Sequence, residues 1–194
     1  MTSHDSPNED LMTSLDRALA GVDRLIAGVE AHQWSAPTPC TEWNVREVVN
    51  HLVSGNLNFA ALVRGEPRPD RDPDQPAGDP VAAYRSAAAT MRAAFAASGV
   101  LERVYQSPIG PAPGSVLVHL RITELLVHGW DLARATGQPV ELPADLAEQE
   151  LALWRAQFED GPGAGDGLPF APARTVAAEA PAIDRLAAFL GREA

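Results

Sequence analysis

The sequence predicts an all-α protein, a four-helix bundle with extra C-terminal helices and long loops. Apolar residues recur at the three- and four-residue spacing of an amphipathic helix in several separate segments. No internal repeat and no alternating strand pattern interrupts them. Stretches rich in proline and glycine separate these segments. The 194 residues, 45% of them hydrophobic and 21% charged, fit one helical domain over residues 1–194.

Two helices are predicted in the N-terminal third of the chain. The first spans residues 11–32 and follows a polar segment, residues 1–10, which we expect to be a disordered tail. A proline-rich loop leads to the second helix. There Asn44 and Glu47 have the spacing of a capping box, and the apolar periodicity continues to about Arg64.

The rest of the chain continues in helices separated by loops. A loop rich in Pro, Asp and Gly at 65–79 precedes a third helix at 80–97, whose first residue is a proline suited to a first turn. Three prolines and two glycines predict a loop over 101–114, with room for a brief extended piece at Val104-Tyr105. We expect Ser115 to cap the fourth helix, which ends before Gly137. A fifth helix at 143–158, an irregular segment at 161–179 and a short sixth helix at 182–190 complete the prediction.

The composition excludes several classes of function. A formal net charge of −11 argues against a nucleic-acid partner and an anionic membrane surface, because both attract basic proteins. No apolar run is long enough to span a bilayer, and the polar start is unlike a signal peptide. A single cysteine excludes an internal disulfide. We therefore expect a cytoplasmic protein, and leave a homodimer open.

The fourth predicted helix carries the most informative motif, Glu-x-x-x-His. Because four residues advance an α-helix by just over one turn, Glu124 and His128 share a face, and Arg121 and Asp131 fall in the same narrow arc. Apolar residues fill the remaining circumference, which is typical of a buried helix. The polar arc is therefore either the one solvated face of the helix or the lining of an internal site.

A histidine on the second helix, His51, would complete a metal site with Glu124 and His128. Two imidazoles and one carboxylate leave a metal with open positions, as in catalytic sites. This donor set favours zinc, although nickel, iron and manganese accept similar ligands. Gly55, one turn beyond His51, would either give a substrate room or serve close helix packing.

Other polar residues have weaker claims. His119 lies about half a turn from His128, so we assign it to packing, and His32 to the C-terminus of the first helix. Cys40 has no adjacent base in the sequence and is interpreted as structural. Asp131 is not well placed to reach His128 and is expected to cap or solvate. The tryptophans at 34, 43 and 130 are interpreted as packing anchors.

Four sequence blocks resemble the DinB-like metalloprotein superfamily, in its actinobacterial branch of mycothiol-dependent maleylpyruvate isomerase-like proteins. They occur in the family's order along nearly the whole chain. The blocks are Trp34-x-x-Pro37-Thr38-Pro39-Cys40-x-Glu42-Trp43, Val45-Arg46-x-x-Val49-x-His51-Leu52, Glu124-x-x-x-His128-Gly129-Trp130-Asp131-Leu132-Ala133 and Asp184-Arg185-Leu186-Ala187-Ala188-Phe189-Leu190-Gly191.

The resemblance implies a DinB-like four-helix bundle with a divalent metal, usually zinc, held by His51, Glu124 and His128. It also implies a small-molecule thiol, mycothiol, as co-substrate, and an electrophilic small molecule as the other substrate. A thiol bound at an open zinc position loses its proton readily and becomes a nucleophile. The metal would therefore activate the thiol for transfer or for thiol-assisted isomerisation.

Three functions remain to be distinguished at this point. The isomerase of this family has a further C-terminal domain, so we expect thiol transfer rather than maleylpyruvate isomerisation, with Arg121 as the contact for a substrate anion. Pairing with Glu124 or exposure to water is the alternative for this arginine. The second function is a metal-stabilised binding or stress-response bundle without turnover, and the third is a metal-free scaffold whose polar arc faces water.

Overall fold

The computed structural model describes residues 7–69, 78–107, 110–158 and 170–194, and it is mostly helical. The predicted helical fold is confirmed, with one small sheet added. The elements are α1 (Pro7–Ala27), a 3-10 turn (Ala31–Gln33), α2 (Val45–Arg64), α3 (Pro80–Phe95), β1 (Val104–Ser107), β2 (Gly110–Pro113), α4 (Gly114–Thr136), α5 (Ala144–Gln157) and α6 (Ala182–Phe189).

Helices α1 to α4 surround the main core. α1 and α2 each pack against both α3 and α4, while α5 and α6 pack against each other and cover α4. Fully buried apolar side chains fill the space between the helices, among them Leu15, Leu52, Met91, Leu125 and Trp130. Because α4 has neighbours on several sides, its polar residues must also find partners inside the protein.

The first helix lies further towards the N-terminus than the sequence predicted. It begins at Pro7 rather than at 11, and ends at Ala27 rather than at 32. A proline is compatible with a first helical turn, and the acidic Asp10 nearby complements the helix dipole, so residues 7–10 of the expected tail are helical. Residues 1–6 lie outside the described residues. The helix stops before Gly28, whose position is packed against the side chain of Gln138.

The segment between α3 and α4 differs from the predicted loop. β1 and β2 form an antiparallel hairpin in which Tyr105 pairs with Ala112. Ser115 does not cap α4, since the helix begins at Gly114 and Pro113 makes no side-chain cap. Instead, backbone oxygens following α3 accept hydrogen bonds from the amides of residues 114 and 115. A side chain at 114 would meet the oxygen of Val100 at 2.2 Å, so this contact requires glycine.

The other predicted helix ends are close to those observed. Asn44 and Glu47 form the capping box at the start of α2, and Gly137 ends α4 in the left-handed conformation. The irregular segment is confirmed over 170–179, whereas 159–169 and the middle of the loop before α3, 70–77, lie outside the described residues. In the part of the chain that is described, no helix is long and apolar enough to cross a membrane.

Candidate metal centre

The polar arc of α4 is buried and does not face solvent. Arg121 and Asp131 have no exposed surface, while His128 is 4% and Glu124 9% exposed. This burial rules out the solvated-face interpretation of the motif. Buried polar groups need partners, and charged ones most of all, so the contacts of these four side chains determine what the arc can do.

α2 brings His51 to the same place as His128. The centroids of the two imidazole rings lie 4.9 Å apart in an edge-to-face arrangement. The indole of Trp43 packs over both rings, with centroids 4.5 Å from His51 and 5.7 Å from His128. Trp43 therefore forms a wall of the candidate site, a role beyond the packing anchor expected from the sequence.

The loop before α2 is fixed by short-range hydrogen bonds, which hold Trp43 in this position. The Thr38 hydroxyl lies 2.7 Å from the Trp43 carbonyl oxygen and 3.1 Å from that of Cys40. The Trp43 amide donates to the Cys40 carbonyl at 2.8 Å, and the Arg46 amide to the Trp34 carbonyl at 3.0 Å. The resulting turn places Trp43 beside both histidines and Cys40 beside His128.

Asp131 contacts His128, contrary to the sequence-based expectation. Its Oδ2 lies 3.0 Å from Nδ1 of His128, three residues earlier on α4. Burial alone would raise the pKa of Asp131, but hydrogen bonds from His128 and Arg192 more than offset this and hold the pKa below its usual range. An ionised Asp131 accepts a hydrogen bond from the N–H at Nδ1, so Nε2 of His128 is left as the nitrogen with a free lone pair.

Glu124 is held by Arg121. Nη1 of Arg121 donates to Oε2 of Glu124 at 2.6 Å, and its other nitrogens donate to Oδ1 of Asn56 at 2.9 Å and to the Leu52 carbonyl at 2.7 Å. A Cβ on Gly55 would lie 2.5 Å from Nη1, so this glycine makes room for the guanidinium. Of the two alternatives for Arg121, the pairing with Glu124 is the one observed.

A cavity of about 390 Å³ opens beside these groups. His51 and Glu124 line it together with apolar side chains that include Phe59 and Leu62. The guanidinium that faces this space belongs to Arg68, an exposed residue of the loop after α2, rather than to Arg121. The cavity therefore combines candidate metal ligands, an apolar wall, the cation of Arg68 and the carboxylate of Glu66.

Burial lowers the pKa of His51 to about 2, and the charges of His128, Arg121, Arg192 and Arg68 act in the same direction. His51 is therefore neutral at physiological pH, the form in which an imidazole binds a metal.

Ligand atoms remain unused on each of the three predicted metal ligands. Within the described ranges, neither ring nitrogen of His51 has a hydrogen-bond partner, nor has Nε2 of His128 or Oε1 of Glu124. The remaining polar atoms of His128 and Glu124 are held by Asp131 and Arg121. A donor set of two imidazoles and one carboxylate suits zinc, and carboxylate support of a histidine ligand is common around metals. The donor types of these residues therefore suit a divalent metal.

A second group of potential ligands shares His128. Ligand atoms of Cys40, His128 and Asp131 all lie within 4.8 Å of one another, a spacing that His51, Glu124 and His128 do not reach. Burial raises the pKa of the Cys40 thiol, with Arg192 opposing the rise, and both oxygens of Asp131 already accept hydrogen bonds from Arg192. A metal would have to displace Arg192, so this trio is the weaker donor set.

The two remaining described histidines lie away from this centre. Nδ1 of His119 contacts Oε1 of Glu150 at 2.8 Å on the side of α4 that faces α5, in agreement with its assignment to packing. His32 does not end α1. It lies in the 3-10 turn, its side chain is 77% exposed, and it is 3.4 Å from the Glu30 carboxylate.

Comparison with known proteins identifies the family. A sequence model of the mycothiol maleylpyruvate isomerase N-terminal domain matches residues 15–133, more than half of the chain. This match includes α1 to α4, except for the ends of α1 and α4, and all three predicted metal ligands. The chain belongs to this family.

Relatives of this family member are known in sequence and in structure. It is 41% identical over 187 residues to "Uncharacterized protein Rv0738" of Mycobacterium tuberculosis (strain ATCC 25618 / H37Rv), covering 94% of this chain and 98% of the relative. Its fold is similar to the crystal structure of the mycothiol-dependent maleylpyruvate isomerase, with a TM-score of 0.62 and 17% identity over 81% of this chain and 75% of the isomerase. A histidine-to-alanine mutant of that isomerase matches equally well, over 85% and 77%.

Several residues around the centre of this family member were not found from the sequence. Arg68 lies in a proline-rich loop without periodicity, and Arg192 follows the last helix. Their proximity to the site arises from long-range packing, for which a single sequence carries no signal. Trp43 could have been found, because it lies in a recognised block next to the start of α2.

Proposed function

We propose that this protein is a divalent-metal-binding, mycothiol-dependent enzyme that carries out thiol transfer or thiol-assisted isomerisation. The metal, most simply zinc, is held by His51, Glu124 and His128, and the substrates are the thiol and an electrophilic small molecule. Family membership supports the link to mycothiol, and the isomerase that shares its fold is described as mycothiol-dependent. The protein acts in the cytoplasm, where such a thiol is available as a co-substrate.

One observation carries the proposal. Side chains from α2 and α4 place unused nitrogen and oxygen atoms beside a cavity, whereas their other polar atoms have protein partners. A purely structural polar cluster would be expected to use its ligand atoms internally. Imidazoles next to a carboxylate, in a partly enclosed space, are suited to an open metal site.

The protein side chains prepare this site in three ways. Asp131 orients His128 through Nδ1, and Arg121 fixes one oxygen of Glu124. The apolar wall of Phe59 and Leu62 excludes water from one side of the cavity, which strengthens electrostatic interactions within it. A bound zinc would supply Lewis acidity, which lowers the pKa of a thiol ligand.

Arg68 is the side chain that we assign to an anionic group of the electrophile. It lines the cavity, and no partner of its guanidinium is found among the described residues. Arg121, the residue expected from the sequence, instead has all three of its nitrogens bonded to protein groups. The electrophile would then carry a hydrocarbon part against Phe59 and Leu62 and a negative charge towards Arg68.

The proposal is tested by metal content and thiol turnover in the same preparations. Tag-free wild type, dialysed against zinc, is expected to hold roughly one equivalent of metal and to consume mycothiol with a reactive electrophile. His128→Ala is expected to lose the metal and this activity. His119→Ala removes the other histidine of α4, which is partly buried, and serves as the matched control, with metal content as in wild type.

Each result bears on the proposal. Absence of metal from folded wild type would overturn the metal site. Metal without any acceleration of the thiol reaction, across haloalkyl, epoxide and maleyl electrophiles, would overturn the enzymatic role. Equal metal loss in His119→Ala and His128→Ala, with both variants folded by circular dichroism, would contradict the choice of ligands.

A further inference from the structure

The C-terminal end of the chain reaches the candidate metal centre through Arg192. Its Nε and Nη2 each donate to a carboxylate oxygen of Asp131, on α4, at 3.0 Å. Arg192 is 8% exposed and Asp131 is fully buried. Two parallel hydrogen bonds between a guanidinium and a carboxylate fix the orientation of the carboxylate as well as its charge.

The turn after α6 places Arg192 at this position. The Gly191 amide donates to the Ala188 carbonyl at 3.0 Å, and the Arg192 amide to the Ala187 carbonyl at 2.9 Å, the pattern of a Schellman motif. Gly191 has a φ of +89°, which favours glycine, and a Cβ there would lie 2.5 Å from Cβ of Ala171. The backbone therefore directs the arginine towards α4.

The same carboxylate that binds Arg192 also orients His128. Oδ2 of Asp131 accepts from Nη2 of Arg192 and lies 3.0 Å from Nδ1 of His128. Because Arg192 holds the Asp131 carboxylate on one side, the remaining lone pair of Oδ2 points towards the imidazole of His128. The imidazole then keeps its proton on Nδ1 and presents Nε2 outward.

We propose that Arg192 is a positioning residue for the metal centre, which acts through Asp131 on the tautomer and orientation of His128. The inference rests on the proposed function for its metal, and concerns which residues prepare His128 to bind it. It also means that α2 and α4 do not complete the site alone, because the segment after α6 contributes to the geometry of a ligand.

A different ion pair provides a matched control. Arg134 on α4 donates to Asp184 on α6 at 2.9 Å, so it joins the same two regions of the fold as the Arg192–Asp131 pair. Its side chain is 46% exposed, and its partner makes no contact with His128 among the described interactions. Loss of this pair weakens the docking of α6 without touching the imidazole.

The experiment compares Arg192→Gln, Arg192→Lys and Arg134→Gln. Zinc affinity is measured by competition with a chromophoric chelator, and the His128 tautomer by nitrogen-15 NMR on metal-free protein. For Arg192→Gln we expect a zinc affinity about 10- to 100-fold below wild type and a loss of the dominant Nδ1–H tautomer. Arg192→Lys keeps the positive charge but cannot form two parallel hydrogen bonds with the carboxylate. Its zinc affinity and its Nδ1–H tautomer population are expected to lie between those of wild type and Arg192→Gln. Arg134→Gln keeps wild-type values for both.

The outcomes separate this inference from the proposed function. Wild-type zinc affinity and an unchanged tautomer in Arg192→Gln would overturn the inference. Arg192 would then serve only to anchor the C-terminal segment to α4. If wild type binds no zinc, the proposed function fails, yet the tautomer comparison still tests the action of Arg192 on His128. Should Arg192→Gln not fold, Arg192→Lys carries both measurements, and values equal to wild type would overturn the inference.

Discussion

Helix α4 carries two buried polar clusters, one facing α2 and one facing α5, and they differ in how they use their atoms. The α5-facing cluster consists of His119, Thr123, Glu150 and Trp154. His119 and Thr123 contact the two oxygens of Glu150 at 2.8 and 3.1 Å, and Nε1 of Trp154 donates to the Thr123 hydroxyl at 2.7 Å. The α2-facing cluster, the candidate metal centre, leaves ligand atoms unused beside a cavity.

The contrast shows that a histidine next to a buried carboxylate does not by itself indicate a site. In the α5-facing cluster both carboxylate oxygens have protein partners, so the cluster joins two helices and has no remaining ligand capacity on that carboxylate. In the α2-facing cluster, Arg121 and Asp131 restrain the side chains and leave Oε1 of Glu124 and Nε2 of His128 available. Stability and function are therefore expected to respond separately to mutation.

The largest expected effect on stability comes from removing the carboxylate at the centre of the α5-facing cluster. Glu150 is 1% exposed, so Glu150→Ala leaves buried partners unsatisfied and is expected to lower the free energy of unfolding by about 2–3 kcal/mol. Denaturant titration of metal-free protein measures this change. Zinc affinity is expected to stay at the wild-type value, because no predicted ligand is affected.

A control for this variant lies on the same helix. Glu148 pairs with Arg185 and is 56% exposed, so Glu148→Ala is expected to cost less than about 0.5 kcal/mol. A fall in zinc affinity for Glu150→Ala, in a variant that remains folded, would contradict the separation of the two clusters.

A smaller effect is expected from pH, through His51. With its pKa lowered to about 2, the folded protein stays unprotonated at His51 while the unfolded chain takes up a proton below the ordinary value of 6.5. The unfolded state is therefore favoured as pH falls. The free energy of unfolding of metal-free protein is expected to decrease by about 2 kcal/mol from pH 7 to pH 5.

His51→Asn tests the origin of this pH dependence. In this variant the free energy of unfolding is expected to fall less steeply between pH 7 and pH 5 than in wild type. His32→Asn, which changes a ring that is 77% exposed, is expected to keep the wild-type pH dependence. Denaturant titrations at several pH values measure how the free energy of unfolding of wild type and of each variant changes with pH. A slope in His51→Asn equal to that of wild type would show that burial of His51 does not govern the acid sensitivity of the fold.

The smallest expected effect concerns Cys40, the nearest competitor for His128. If the ligands are His51, Glu124 and His128, Cys40→Ser is expected to keep zinc affinity within about threefold of wild type, roughly 0.7 kcal/mol. The cobalt-substituted wild type should also lack an intense thiolate-to-metal band in the near ultraviolet. A band that disappears in Cys40→Ser would instead assign the metal to Cys40, His128 and Asp131.

The helices were largely predictable because each carries its own periodicity and end signals. The capping box of Asn44 and Glu47 and the terminal Gly137 act within a few residues of the chain, so the sequence alone indicates them. Of the hairpin between α3 and α4 only the extended piece at Val104-Tyr105 was predicted, since β2 contains two prolines and a glycine and depends on pairing with β1. The start of α4 was displaced because backbone oxygens after α3, rather than a side chain, accept from its first amides.

The candidate site was predictable only in part. The i,i+4 spacing placed Glu124 and His128 on one face, and the structure buries that face. Their choice as metal ligands with His51 remains a prediction. The spacing argument failed for Asp131, which reaches Nδ1 of His128 from one turn further along the helix. Helical spacing fixes where Cβ atoms lie, but the rotamer that brings two side chains together depends on their surroundings.

The sequence by itself determined the helical class, most helix ends and the shared face of the Glu-x-x-x-His motif on α4, because these follow from local periodicity and capping. Only the tertiary structure decided that Arg121 donates a hydrogen bond to Glu124, that Arg68 lines the cavity and that Arg192 binds Asp131. The physical reason is that a buried charge must be matched by a partner. That partner can come from any part of the chain that folding brings near, here from 61 residues further along.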